Sequence, residues 1–373
     1  MKEEKISKGE GQGLDRRNLL KTGIVGAAAV GLFGLEGTIR QVFGATSATK
    51  GTTLSKSEES AEPDVDAARK EGTVSLYSSL DTAIIDSIIK PFTEMYGIKV
   101  TYYRATAAAV ASKLLSEWDA KRHFCDVLDI SDVAAANMMK RRGMLVKYRP
   151  ASLDAYPKEM RDKDGFWIAN RLTQIILGYN TKSITGDMVP KGWLDLVDPK
   201  FSGKMVVQEP STFAPRVHTV VINIKDGWDW LAKIGKNKPK FVQTVQVMGQ
   251  MNETGEVPIS IFQNDNIVSR ARANGKPINM VFPKEGVPCE AGVMACMNQA
   301  SHPNAARLLI DWWLGEEGQK ANVAGFKYSP RPDMDPPKGC PKLKDLTLWQ
   351  PDYDYLELHM NEVIDKITKT LNG

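Results

Sequence analysis

Residues 73–104, TVSLYSSLDTAIIDSIIKPFTEMYGIKVTYYR, set the architecture. Thr73–Ser78 alternates apolar and polar side chains, the pattern of a strand. Ser79, Leu80 and Asp81 end it. From Thr82 to Tyr96 the apolar residues fall at Ile84, Ile85, Ile88, Ile89, Phe92 and Met95, a helical stripe. Gly97 then stops the helix, because glycine adopts the left-handed turn without penalty. Residues 99–103 read as a second strand and 107–121 as a helix. Residues 126–130 read as a third strand, and 133–142 as a helix that Gly143 stops. This alternation predicts a parallel, doubly wound α/β sheet with helices on both faces.

Ligands of open α/β sheets bind outside the carboxyl ends of the strands. The three loops at those ends carry Ser79 and Asp81, Arg104 and Thr106, and Ser131 and Asp132. Each precedes a helix N-terminus, whose free N–H groups and positive dipole end favour anions. Each hydroxyl or carboxylate also suits an ordinary N-cap. Three such loops on one sheet edge favour a shared site, so Ser79, Arg104, Thr106 and Ser131 are candidates.

Outward from this stretch, the texture changes. Residues 165–179 are apolar and extended around Arg171, and a buried arginine needs a partner or a ligand. Residues 193–201 form a short amphipathic element. Residues 203–208 are a strand, followed by Glu209-Pro210-Ser211-Thr212. Residues 228–234 and 240–251 read as helical. Residues 257–262 are a strand ending in Gln263-Asn264-Asp265-Asn266, and 267–274 continue as a helix. Strands follow at 278–282 and 291–298, then a helix at Pro303–Leu314 and another from Glu316. A closing amphipathic helix spans 355–371.

The N-terminus is an address. Arg16 and Arg17 precede an apolar stretch of thirteen residues, 23–35, and small residues follow at Gly44, Ala45, Ser47 and Ala48. This resembles a twin-arginine export signal, here residues 1–45. The stretch is shorter than the ~20 residues a membrane-spanning helix needs. Residues 46–64 are polar and read as a disordered tether. Removing residues 1–45 leaves 42 basic and 40 acidic residues of 49 and 45. That balance gives no support for nucleic-acid binding. A soluble periplasmic monomer is the expected product. Cys125, Cys289, Cys296 and Cys340 show no CxxC pair, and the four histidines are scattered, so no metal or cofactor is expected. An oxidising compartment leaves a Cys289–Cys296 disulfide open.

The order of pieces resembles the extracellular solute-binding proteins of ABC importers, in their ferric-ion-binding-protein-like branch. The matching segments are GTVSLYS (72–78), FTEMYGIKV (92–100), LGYNTK (177–182), WLDLVDPKFSGK (193–204), GEVP (255–258), HPNAA (302–306), and EEGQ (316–319) with SPRP (329–332). The resemblance implies two α/β lobes, each a sheet flanked by helices, joined by a two-strand hinge and closing on a ligand. Lobe one would be 65–170 and 283–330, and lobe two 171–282 and 331–373. It also implies that Arg171 lies on a crossing strand and that the Ser211-Thr212 loop holds an anion. Ferric binders of this branch carry two consecutive tyrosines where Asn264, Asp265 and Asn266 stand here, so the paired phenolate site is absent. Tyr102 and Tyr103 lie elsewhere, on a strand that points them apart.

The function implied is capture of a small anion-bearing solute, an organic acid, phosphonate or phosphate ester, for delivery to an inner-membrane ABC permease. Ser79, Arg104, Thr106, Ser131, Arg171, Ser211, Thr212 and Asp265 are the candidate contacts, with an arginine gripping the anion in bidentate fashion. Asp265 suits an amine if the ligand is zwitterionic. The alternatives are ferric iron with a synergistic anion and a periplasmic enzyme exported folded. The chain has no GxSxG elbow, GxGxxG fingerprint or P-loop, which speaks against the enzyme.

Overall fold

The computed structural model describes residues 63–372. The leader and all but the last two residues of the tether lie outside them. Asp64 caps α1 (Val65–Glu71) by accepting from the Ala67 amide at 2.9 Å. β1 (Thr73–Ser78), α2 (Thr82–Tyr96), β2 (Lys99–Arg104), α3 (Ala107–Asp119), β3 (Val127–Ile130) and α4 (Val133–Arg141) then follow in alternation. β1 pairs in parallel with both β2 and β3, as the alternation predicts. Gly97 has φ 72°, and its amide closes α2 onto the Thr93 carbonyl.

The period-two pattern sorts this half into two cores. Val74 and Leu76 of β1, Val127, and Met294 and Cys296 pack with α1 and α2 on one sheet face. Tyr77, Leu128, Ile130, Val293 and Ala295 pack with α3 and α4 on the other. Consecutive strand residues point to opposite faces, so both faces are buried.

β4 (Leu145–Val146) leads to β5 (Ile168–Asn180), a 13-residue strand that leaves this half and enters the next. There β6 (Met205–Gln208), α5 (Pro210–Asn223), α6 (Gly227–Lys236), β7 (Lys240–Val242), α7 (Val245–Thr254), β8 (Ile259–Asn264) and α8 (Asp265–Ala273) repeat the alternation. β6 pairs in parallel with β7 and β8, and β8 runs antiparallel to β5. The sequence reading placed 240–251 in one helix. Lys240–Val242 is instead a strand, because it pairs with Val206–Gln208 of β6. Residues 193–201 form two short 3-10 turns, Leu194–Val197 and Pro199–Phe201.

β9 (Ile278–Val281) pairs with the far half of β5, and β10 (Val287–Met297) returns to the first half. β10 lies antiparallel to β5, from Cys289 opposite Gln174 to Met294 opposite Ile168, and then to β3. α9 (Pro303–Leu314) and α10 (Glu316–Ala324) follow. The short β11 (Leu348–Trp349) pairs with β10, and α11 (Tyr353–Asn372) closes the chain. Leu356, Val363, Ile367 and Leu371 of α11 pack with α5, α6 and a Trp193, Trp230, Phe213 and Phe262 cluster. The sheet order is β2-β1-β3-β10-β5-β8-β6-β7. The architecture is therefore two α/β halves, and β5 and β10 are the two strands that run between them.

Cys289 and Cys296 are both free and both buried in β10. Seven residues along a strand separate them by roughly 23 Å, so no disulfide joins them. Burial pushes the thiols of Cys289 and Cys296 up to about 12 and that of Cys125 well above its ordinary value. Cys125 is therefore a packed side chain and not a nucleophile.

Candidate functional site

The candidate residues lie in the loops at the carboxyl ends of β1, β2 and β3 in one half and of β6 and β8 in the other, with β10 and β5 between β3 and β8 in the sheet. On the first side, Ser79 and Ser131 interlock: the Ser131 amide donates to Ser79 Oγ at 2.9 Å, and the two hydroxyls lie 3.2 Å apart. Thr106 and Asp132 act as N-caps, accepting from the amides of Ala109 and Ala135. Arg104 donates through Nε to the Leu80 carbonyl at 3.1 Å and lies 3.6 Å from Asp81.

Arg171 sits on β5 as expected, but it is 2% exposed. Its guanidinium is paired with Asp129, which also accepts from Ser78 and Asn170. Nη2 reaches Ser79 Oγ at 3.3 Å. The side chain lies over Gly292 of β10, where a Cβ would fall 2.7 Å from both Nε and Nη1. Arg171 is therefore consumed by a carboxylate of the first half, and it steadies Ser79.

On the second side, Ser211 and Thr212 lie in the first turn of α5. Ser211 is exposed, and Thr212 Oγ1 donates to the Glu209 carbonyl at 2.8 Å. One turn further, Arg216 donates through Nε and Nη2 to the two oxygens of Glu290 on β10 at 2.8 and 2.9 Å. Its Nη1 donates to the Phe262 carbonyl at 3.2 Å. Phe262 has φ 61°, a left-handed conformation that a bulky residue rarely takes. It occurs inside β8, beside an irregularity in the register with β5. Phe262 is fixed there by stacking on Trp193 at 5.2 Å. Such strain collects where a backbone group must be aimed.

Asp265 begins α8 and is fully buried, with Oδ1 accepting from the Gln174 amide at 3.1 Å. Burial raises its carboxyl, and Lys327 opposes that rise. Lys327 is itself lowered by burial, and it donates to Thr173 at 3.2 Å and to Asn266 at 2.9 Å. Asp265 Oδ2, Asn264 Oδ1 and Gln174 Oε1 are buried without partners. Arg270 of α8 reaches Asp81 at 2.8 Å and so ties the second half to the first. Burial alone would raise the Asp81 carboxyl, but Arg270, Lys327 and Arg104 outweigh it and hold it low.

Sequence reasoning missed Arg216, Arg270, Glu290 and Lys327. Arg216 and Arg270 lie on helices beyond the loops that were searched, one turn past candidate residues, a spacing of i+4 and i+5 from Thr212 and Asp265. Glu290 and Lys327 have no local signal: β10 pairing brings in Glu290, and the bridge of Tyr328 to Leu172 brings in Lys327. No group of three or more His, Cys, Asp and Glu that could hold a metal occurs among the described residues. No described helix is long and apolar enough to cross a membrane.

Among proteins of known name, the chain is 23% identical over 319 residues to the Fe(3+)-binding periplasmic protein of Serratia marcescens, covering 81% of this chain and 91% of that one. It is 22% identical over 218 residues to a probable ABC transporter periplasmic-binding protein of Sinorhizobium fredii, covering 55% of this chain and 59% of that one. The fold matches that of the periplasmic binding protein AfuA from Actinobacillus pleuropneumoniae, solved with exogenous fructose-6-phosphate bound. The TM-score there is 0.68 at 20% identity, covering 80% of this chain and 99% of that one. Two halves joined by two crossing strands, with polar strand ends meeting between them, are thus the frame of a binding protein. Residues 123–359 match the family model of the bacterial extracellular solute-binding proteins, and the chain belongs to that family.

Proposed function

We propose that this chain is the periplasmic component of an ABC importer and presents its ligand to an inner-membrane permease. The ligand is a small anion-bearing solute, taken where the strand ends of the two halves meet. One observation carries this reading. Arg216 holds out a guanidinium fork that is filled by a carboxylate and is still 13% exposed. A bidentate fork of this kind is the strongest anion grip a side chain offers. Ser79, Ser131, Ser211 and Thr212 supply hydroxyls around it, and Arg104 supplies a second cation. Arg171, Thr106 and Asp265 support the site from within, since an ion pair, a cap and full burial occupy them. Closure of the halves on the ligand would be a hinge motion about β5 and β10.

A panel of inorganic phosphate, fructose 6-phosphate and citrate, read by thermal shift, tests this reading. A ligand at 100 times its Kd adds about 2.7 kcal/mol to stability. At least one member should raise the melting temperature, and Arg216→Gln should remove the rise. Fe(III), added with and without citrate, is the contrasting arm. A tyrosinate charge-transfer band in the visible would replace the anion reading with the ferric one. A panel in which no anion shifts the protein refutes the proposed ligand class.

A further inference from the structure

We infer that the ligand is a zwitterion, carrying an ammonium group as well as its anion. The inference rests on the anion reading above and narrows it. Glu290 takes both Nε and Nη2 of Arg216, and Nη1 is held by Phe262 and, at 3.4 Å, by Gln208 Oε1. An incoming anion that takes the fork must therefore displace Glu290.

Glu290 has nowhere to go without cost. Its side chain is 22% exposed, and Asp132 is its neighbour in charge: burial first, and then Glu290, raise the Asp132 carboxyl. Two carboxylates stripped of their cation repel each other in a half-buried setting. A ligand that is only an anion strands Glu290 beside Asp132. A ligand that is only a cation strands Arg216, which then loses its acceptor. A solute with both charges leaves neither group unpaired: its anion enters the fork, and its ammonium sits between Glu290 and Asp132.

Titration calorimetry on the full chain tests the inference with two matched pairs. Phosphoethanolamine is compared with ethyl phosphate, and β-alanine with propionate. In at least one pair the ammonium-bearing member should bind about tenfold tighter, the worth of one hydrogen bond to a charged group. Glu290→Gln should erase most of that preference while leaving the fold intact by melting temperature. If Glu290→Gln fails to fold, Asp132→Asn serves, because asparagine still caps α4. A purely structural Arg216–Glu290 bridge would move the melting temperature and leave the preference unchanged. Equal binding within both pairs, or a preference that survives substitution, overturns the zwitterion and leaves the anion reading standing. The same holds if phosphate, fructose 6-phosphate or citrate binds and none of the four probes does. If nothing binds in either experiment, the anion reading falls and takes this inference with it.

Discussion

Gly292→Ala is the most informative single substitution in the crossing strands. The new Cβ would lie 2.7 Å from Nε and Nη1 of Arg171, well inside ordinary contact at 3.4–4 Å. The guanidinium must retreat by roughly 1 Å. It cannot do so freely, since Asp129, Asn170 and Ser79 hold it on a buried face. Breaking a buried ion pair outright costs about 3–5 kcal/mol, whereas overpacking a core costs about 1–3 kcal/mol. A partial retreat should cost about 3 kcal/mol. Unfolding entropy of about 2.1 cal/mol/K per residue, over the 310 residues from 63 to 372, converts this to a fall of about 4–5 °C in melting temperature. Calorimetry reads it directly. A double-mutant cycle isolates the cause. With Arg171→Ala already present, the added methyl has room and should cost less than about 1 kcal/mol. A shift below about 1 °C in the single variant, or full additivity in the cycle, refutes the claim that Gly292 exists to seat Arg171.

Other outcomes follow from the same geometry. In native protein at pH 8, a thiol reagent should leave Cys125, Cys289 and Cys296 unmodified, because burial raises their pKa values. All four thiols should react once the chain is unfolded, and a mass lower by that of two hydrogens would reveal a disulfide instead. Asp81→Asn should break the tie to Arg270 and shift scattering curves toward a larger radius of gyration, with at most about 1 kcal/mol lost in stability. Because the Asp81 carboxyl is held low, its contribution is present above the ordinary carboxylate range and is lost as pH falls through its folded value, so acid should mimic the substitution. His218 is lowered chiefly by burial. Its neutral form therefore stabilises the fold above its ordinary value, and stability falls as pH drops below that. His218→Leu should flatten this dependence between pH 7 and 5, and an unchanged slope would show that other groups carry it.

Much of the fold was legible because β1 to α4 obeys two clean periodicities, with glycines at the helix stops. The strand Lys240–Val242 was not legible, since three residues carry no period and only pairing with β6 makes them a strand. Among the site residues, Ser79 and Ser131 sat where the loop rule put them. Arg171 was read as a buried arginine that needs a partner or a ligand, and the structure pairs it with a carboxylate. The partner, Asp129, is the third residue of β3, which lies across β10 from β5, and no linear pattern identifies it. The unusual Phe262 conformation left no trace in the sequence, because its cause is the Trp193 stack and the irregular β5–β8 pairing.

The sequence alone determined an α/β chain with polar loops at the ends of parallel strands, and the order of motifs that marks a binding protein of this family. Those properties are local, written in spacing and residue type. Only the tertiary structure decided which charges are spent on one another and which remain in reach. Arg171 and Arg216 are both arginines whose partners lie far off in the chain. One is sealed under Gly292 against Asp129, and the other, only partly buried, holds its fork against Glu290. Their difference lies in burial and in a partner brought from a distant strand, and both are fixed by packing rather than by neighbours in the chain.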